Sequence, residues 1–162
     1  MYIKKIKLIK SKCKDKKFNI SLAESCTGGL LSSLFTQIPG SSEFFDSSYI
    51  VYSNKSKINT LKVPSLIIKK YGAVSIETSL HMAKSLYKKT KTNIVLSITG
   101  VAGPDGGTKN NPVGTVFITI GLKNKKSIMY KTFHKRFKKT GRKIIQQKSA
   151  LFAIDQILKT IS

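Results

Sequence analysis

The sequence predicts an α/β fold: a three-layer α/β/α arrangement around a mixed, largely parallel sheet, closed by a C-terminal hairpin plus helix. Three observations lead there. Helical and strand patterns alternate along most of the chain, as βα units do. The segment Asn93–Thr99 is nearly all apolar, as a strand covered on both faces must be. Two β-rich segments around Asn124-Lys125 follow a glycine-rich loop and read as an antiparallel hairpin.

Taken in order, Tyr2–Lys12 reads as an amphipathic helix lying on the domain, and Phe18–Ala23 as a short strand. A turn of small and hydroxyl residues follows, and then a helix over Gly29–Gln37 that Pro39-Gly40 stops. Ser41–Phe45 starts a short helical turn, and Tyr49–Tyr52, rich in β-branched and aromatic residues, is the second strand. Short helices are expected over Asn54–Leu61 and Pro64–Tyr71, the second opened by Pro64 and ended by Gly72. Glu77–Lys89 carries Leu80, Ala83, Leu86 and Tyr87 at helical spacing, with Ser75 placed to cap it. After Asn93–Thr99 come a long loop, Gly100–Gly114, and the strands Val113–Leu122 and Ser127–Phe133. Gly141–Leu158 is the terminal helix, with Ile144, Ile145, Ala150, Leu151, Ile154, Ile157 and Leu158 as its apolar stripe. No internal repeat or linker interrupts the pattern, so one domain over 1–162 is expected.

Composition narrows the function classes. The apolar fraction of 40% is enough to build a core and too high for a disordered chain. No apolar run approaches the roughly 20 residues that span a bilayer. Met1–Lys10 threads lysines through its apolar residues and so lacks the uninterrupted core of a signal peptide; a cytoplasmic protein is expected. The only cysteines are Cys13 and Cys26, which suggests neither a disulfide nor a zinc site, and no metal or other cofactor is expected.

The net charge of +23 admits two readings. Phosphate neutralisation would make it a nucleic-acid surface. The basic residues, however, are nearly all lysine, with arginine only at Arg136 and Arg142, and they are spread over the whole chain beside many Ile, Asn and Ser. That distribution fits compositional drift onto solvated faces, and it is preferred here. The densest basic run, 123–143, is the place to look for the other reading.

The chemistry centres on the strand-to-helix turn Ala23-Glu24-Ser25-Cys26-Thr27-Gly28-Gly29. Such a turn gathers unpaired backbone N–H groups and the positive end of a helix dipole at one point, which suits a nucleophile and a developing oxyanion. The plainer alternative is that Ser25 or Thr27 caps the helix and the glycines allow tight packing. Two further stretches stand at strand ends. Gly100–Gly107 follows the most buried strand, where α/β sheets place ligands, and matches neither a Walker loop nor a dinucleotide fingerprint. Tyr52-Ser53-Asn54-Lys55-Ser56-Lys57 supplies a phenol, an amide and two amines, although a lone lysine is ordinarily solvated. His81 lies in an amphipathic helix and His134 at a basic strand end, which gives a Ser-His-Asp triad little support.

Together these stretches resemble the C-terminal domain of the CinA (competence/damage-inducible) family, the stand-alone nicotinamide mononucleotide (NMN) amidohydrolase. The resemblance runs in order from Ala23–Gly29 through Ile38-Pro39-Gly40-Ser41-Ser42, Tyr52-Ser53-Asn54 with Lys57, and Tyr71–Ser75. It continues through Ser97–Gly107 and Pro112–Val116. The family's other, molybdopterin-binding-like domain has no counterpart in this sequence. The resemblance implies hydrolysis of the carboxamide of NMN to nicotinate mononucleotide and ammonia, in pyridine nucleotide recycling. It implies Ser25 as nucleophile with Tyr52 and Lys57 as polar partners. On chemical grounds Lys57 is the candidate base, Tyr52 its relay or orienting group, and Cys26 a rival nucleophile. Backbone N–H groups of Cys26, Thr27 and Gly28 are the candidate oxyanion donors.

Asn54, Gly103, Gly106, Gly107 and Thr115 are candidate substrate-binding residues, and Arg142 a candidate phosphate fork. The sequence departs from the family at Ser48 (usually glycine), at Gly141 (often acidic) and at Gln146 (usually arginine). These departures bear on phosphate binding and substrate affinity. The expected partner is a small-molecule substrate, with no membrane partner and self-association left open. The alternatives are a nucleotide-binding or DNA-associated accessory protein that keeps the fold, and a basic nucleic-acid-binding protein.

Overall fold

A computed structural model describes residues 2–138 and 140–162; Met1 and Lys139, the latter within the 123–143 basic run, lie outside the described residues. The elements run α1 (Tyr2–Lys16), β1 (Ile20–Glu24), α2 (Leu30–Thr36), a 3-10 turn (Ser41–Glu43), β2 (Phe45–Ile50), α3 (Asn54–Asn59) and α4 (Ser65–Tyr71). They continue with α5 (Ile76–Thr90), β3 (Ile94–Gly100), β4 (Thr115–Lys123), β5 (Ile128–Arg136) and α6 (Arg142–Ile161). The five strands form one mixed sheet in the order β2-β1-β3-β4-β5. β1 pairs in parallel with β2 and β3, while β4 runs antiparallel to both β3 and β5. The α/β/α expectation therefore stands, with the hairpin β4–β5 completing the sheet and α6 returning over it.

The two faces are covered by different helices. Ile6, Ile9 and Cys13 of α1, Leu31, Leu34 and Phe35 of α2 and Ile145, Ile154 and Ile157 of α6 pack on Ile20, Leu22, Leu96 and Ile118 of the sheet. On the opposite face Met82, Ala83 and Leu86 of α5 join Leu61, Val63 and Ile68 over Ala23 and Val95. Period-2 alternation along β1 and β3 sends one set of apolar residues to each layer. Both strands are buried on both sides, which explains why Asn93–Thr99 reads as a continuous apolar run.

Most element boundaries move by only a few residues from expectation. The largest shift is at β2, expected at Tyr49–Tyr52 and found at Phe45–Ile50. It is an edge strand whose pairing with β1, from Ile20↔Phe45 to Glu24↔Ile50, draws in the polar residues Asp46, Ser47 and Ser48. Local β propensity undervalues these residues, because the ladder and not the side chains holds them extended. The carboxyl ends of β1, β2 and β3 meet at one edge of the sheet. β1 connects outward to β2 while β3 returns on its other side, so the crevice above Ser25 lies where the winding reverses, the usual ligand position in such sheets.

Candidate active site

Ser25 begins the turn directly after β1. Its N–H extends the ladder to the Ile98 carbonyl (3.0 Å), and Val51 N–H donates to the Glu24 carbonyl (2.8 Å). The chain leaving β1 is thus held on both sides at the residue before Ser25. Gly29, with φ +96°, then turns it into α2. A side chain at that left-handed position would be strained, which explains the glycine.

Glu24 is the residue the sequence reasoning passed over. It is fully buried, and its carboxylate accepts four hydrogen bonds. Oε2 receives Thr27 Oγ1–H (2.7 Å), Gly29 N–H (3.1 Å) and Leu31 N–H (3.1 Å), and Oε1 receives Ser32 N–H (2.8 Å). The positive end of α2 is therefore neutralised from within the chain, and Thr27 serves this cap instead of facing a ligand. The signal available in the sequence was a lone carboxylate just ahead of a helix start, a common capping arrangement.

The amine of Lys57 lies 3.0 Å from Ser25 Oγ and 3.4 Å from the Tyr52 carbonyl. Lys57 is on α3, a short helix fixed by a reciprocal capping box. Ser53 Oγ accepts from Ser56 N–H, and Ser56 Oγ accepts from Ser53 N–H. That cap directs Lys57 under the β1 turn, where it is 1% exposed. Among the described residues the ion pairs are Lys5–Asp155 and Lys10–Glu43, so no carboxylate there balances Lys57. Burial accordingly holds its pKa below the ordinary 10.5, opposed only in part by the neighbouring Cys26. A buried amine without a counter-ion favours its neutral form, which can accept a proton.

Tyr52 is 55% exposed and contributes to Lys57 through its backbone carbonyl; its phenol instead accepts a hydrogen bond from Arg142 Nη2–H. Arg142, the first residue of α6, also donates to the Gly103 carbonyl (2.8 Å) and so ties the glycine-rich loop to α6. Gln146, one turn further along α6, donates to the Cys26 carbonyl (2.9 Å). The Cys26 thiol is buried and its pKa is pushed up to about 12, chiefly by desolvation. It is therefore almost wholly protonated near neutral pH, which favours Ser25 over Cys26 as nucleophile.

These groups surround a cavity of about 260 Å3. Of the residues expected at a site, Ser25, Cys26, Tyr52, Asn54, Lys57, Gly103, Gly106 and Arg142 line it. Thr27, Gly28, Gly107 and Thr115 do not. Gly28 N–H is taken by the Ser25 carbonyl (3.0 Å), leaving the N–H groups of Cys26 and Thr27 without an acceptor among the described residues. Gly107 faces a separate hollow with Arg136, and the buried Thr115 hydroxyl lies at the start of β4 behind Gly100. Gly100 allows this close packing, since a Cβ there would stand 2.6 Å from the Thr115 carbonyl oxygen. Neither histidine lines the cavity: His134 stacks on Phe117 and His81 lies in another groove. Among the described residues no group of three or more His, Cys, Asp and Glu is placed to hold a metal ion, and no helix is long and apolar enough to cross a membrane.

Comparison with known proteins places this arrangement in a family. Residues 3–161 match the family model described as the CinA C-terminal domain. A CinA-like protein of Fusobacterium nucleatum is 44% identical over 148 residues, covering 91% of this chain and 35% of that protein. A CinA-like protein of Thermotoga maritima is 43% identical over 147 residues, covering 90% of this chain and 34% of that protein. The chain thus spans about a third of the length of these curated relatives. Among solved structures, a competence or damage-inducible protein from Enterobacter asburiae superposes with a TM-score of 0.93 at 28% identity, covering 100% of this chain and 99% of that one. The competence/damage inducible protein CihA from Agrobacterium tumefaciens gives 0.92 at 29% identity, covering 99% and 96%. This chain belongs to the CinA C-terminal domain family.

Proposed function

We propose that this chain is an amidohydrolase that converts the carboxamide of nicotinamide mononucleotide to the carboxylate with release of ammonia, using Ser25 as nucleophile and Lys57 as base. The observation that carries the reading is the Lys57 amine, buried, in no ion pair among the described residues, and 3.0 Å from Ser25 Oγ. In the reaction, neutral Lys57 takes the Ser25 hydroxyl proton as Oγ bonds to the carboxamide carbon. The oxyanion receives the N–H group of Cys26, such a donor being worth about 3 kcal/mol in the transition state. Lys57 returns its proton to the leaving nitrogen, ammonia departs, and an ester on Ser25 remains. Water, losing a proton to Lys57, then attacks the ester carbon; the C–Oγ bond breaks, Lys57 returns that proton to Ser25 Oγ, and the carboxylate product leaves. Tyr52 holds Lys57 in place through its carbonyl, and its phenol accepts from Arg142 at the cavity rim. Arg142, already bridging the Gly103 carbonyl and Tyr52, is the group that would turn to a substrate phosphate.

The test is ammonia release from NMN by purified protein in the presence of a chelator, beside Ser25→Ala and Lys57→Ala. Release by the wild type and a loss of at least about a thousand-fold in both variants is expected, in line with removal of a nucleophile or its base. Activity retained by Ser25→Ala would remove the serine mechanism. The absence of release from the folded wild type would remove NMN as substrate.

A further inference from the structure

On the face of the sheet covered by α5, a groove of about 870 Å3 shares no residue with the Ser25 cavity. Its apolar floor includes Leu61, Pro64 and Ile128. Its rim carries five lysines, Lys62, Lys84, Lys88, Lys89 and Lys91, all exposed, and no acidic residue. Five of the twelve lining residues are lysine and none is acidic, so the groove carries charge of one sign only.

Two half-buried aromatic rings, packed on the core beneath, lie among these lysines. Tyr87 of α5 and Tyr130 of β5 both line it, and each ring has a lysine amine against it. Lys91 Nζ stands 5.4 Å from the Tyr87 ring centre, and Lys84 Nζ stands 6.0 Å from that of Tyr130. Two of the lysines hold left-handed backbone, Lys62 at φ +64° and Lys91 at φ +59°. Tight turns therefore set these two amines at the groove, at a conformational cost that glycine would avoid.

The geometry points to this groove as a binding site for single-stranded nucleic acid, with the lysines taking phosphates and Tyr87 and Tyr130 stacking bases. Amines beside π-faces along a channel are what an unpaired strand needs, since every base offers a face to stack and every linkage a charge to neutralise. A duplex keeps its bases stacked inside and would leave the two rings unused. The site is independent of Ser25 and of the reaction assigned to it.

His81 lies in the same groove and gives an internal reporter. Its pKa is held below 6.5, first by burial and then by the charges of Lys84 and Lys88. Glu77, one turn before it on α5, is the nearest acidic residue in sequence. Phosphates seated on the two lysines would offset their charge and raise the His81 pKa.

The experiment is fluorescence anisotropy of the full chain with a labelled twelve-residue oligothymidylate over a series of salt concentrations. Duplex DNA of the same length and polyglutamate serve as competitors, and His81 is titrated by NMR with and without the oligonucleotide. Five phosphate contacts predict a slope of log K against log salt of about −3.5, and Lys84→Gln with Lys88→Gln should reduce its magnitude by about 1.4. Tyr87→Leu, which keeps the apolar packing, should weaken binding about 5-fold or more while leaving the slope unchanged, because it removes stacking and no charge. An upward shift of the His81 pKa on binding is expected. Equal affinity for duplex or polyglutamate, an unaltered slope in the lysine variant, or unaltered affinity in Tyr87→Leu would each overturn the assignment. Folding of each variant is read independently from its thermal transition, and ammonia release does not enter the test.

Discussion

Glu24→Gln keeps the shape of the side chain and halves its accepting capacity. The wild-type carboxylate, itself fully buried, receives three donors on Oε2 and one on Oε1, of which the Gly29 and Ser32 bonds are only partly buried. An amide has one accepting oxygen. If that oxygen takes the Oε2 position, the new NH2 group faces Ser32 N–H, which then has no acceptor. An orphaned buried donor costs about 1–3 kcal/mol, and the half-buried Ser32 N–H stands at the lower end of that range. The lost negative charge at the start of α2 adds about 0.3–1 kcal/mol, and relief from burying a charge offsets part of the total. A net loss of about 1–2 kcal/mol corresponds to a fall in Tm of about 2–8 °C for a chain of this size. Ser25 is the next residue, so the turn that aims its hydroxyl at Lys57 should loosen as well. In the ammonia assay kcat should fall about ten-fold or more with little change in KM, because positioning and not substrate binding is lost. Thermal unfolding followed by circular dichroism reads the first quantity and steady-state kinetics the second. A Tm within about 1 °C of wild type together with an unchanged kcat would refute the view that Glu24 holds the nucleophile turn.

Four further outcomes follow from the same geometry. Activity should rise with pH along a limb set by Lys57 and level off below 10.5, because burial lowers its pKa and the neutral amine is the active form; a limb at or above 10.5 in the pH–rate profile would contradict this. The same lowered pKa makes a stability contribution that is fully present above the ordinary lysine value and is lost as pH falls through the folded value, so Lys57→Met should flatten that part of the stability–pH curve. Cys26→Ala should keep most of the activity and the wild-type thiol should resist iodoacetamide at pH 8, since its pKa is pushed up to about 12; rapid alkylation with loss of activity would restore Cys26 as a nucleophile candidate. Arg142→Ala removes the link between the Gly103 carbonyl and the Tyr52 phenol and should raise KM for NMN about ten-fold or more, well beyond its effect on kcat; an unchanged KM would remove Arg142 from substrate binding.

The layered α/β/α architecture was legible in the sequence because its strongest signals are local. The apolar run of β3, the helical spacing of α5 and the Pro39-Gly40 stop each reflect a period or a turn that neighbouring residues define. The Ser25 turn was legible for the same reason, since a strand, small residues and a helix follow one another directly. The start of β2 was not, because Phe45–Ser48 is extended by pairing with β1 and not by its own composition. Thr115 and Gly107 looked like ligand groups from their place near the loop, but the sense in which the loop folds back turns both away from the cavity.

By itself the sequence determined which elements form, their order, and the one turn where a serine follows a buried strand. Tertiary structure alone decided the environment of the candidate groups Ser25 and Lys57. A lysine in so basic a chain is ordinarily solvated, and nothing within a few residues of Lys57 distinguishes it from Lys55. Only the packing of α3 beneath the β1 turn strips water from one of them and brings it to Ser25, 32 residues away. Gln146 reaches the Cys26 carbonyl across 120 residues in the same way. Desolvation and long-range hydrogen bonds depend on distances through space that no local period encodes, so the chemistry of the site became definite only when the chain had folded.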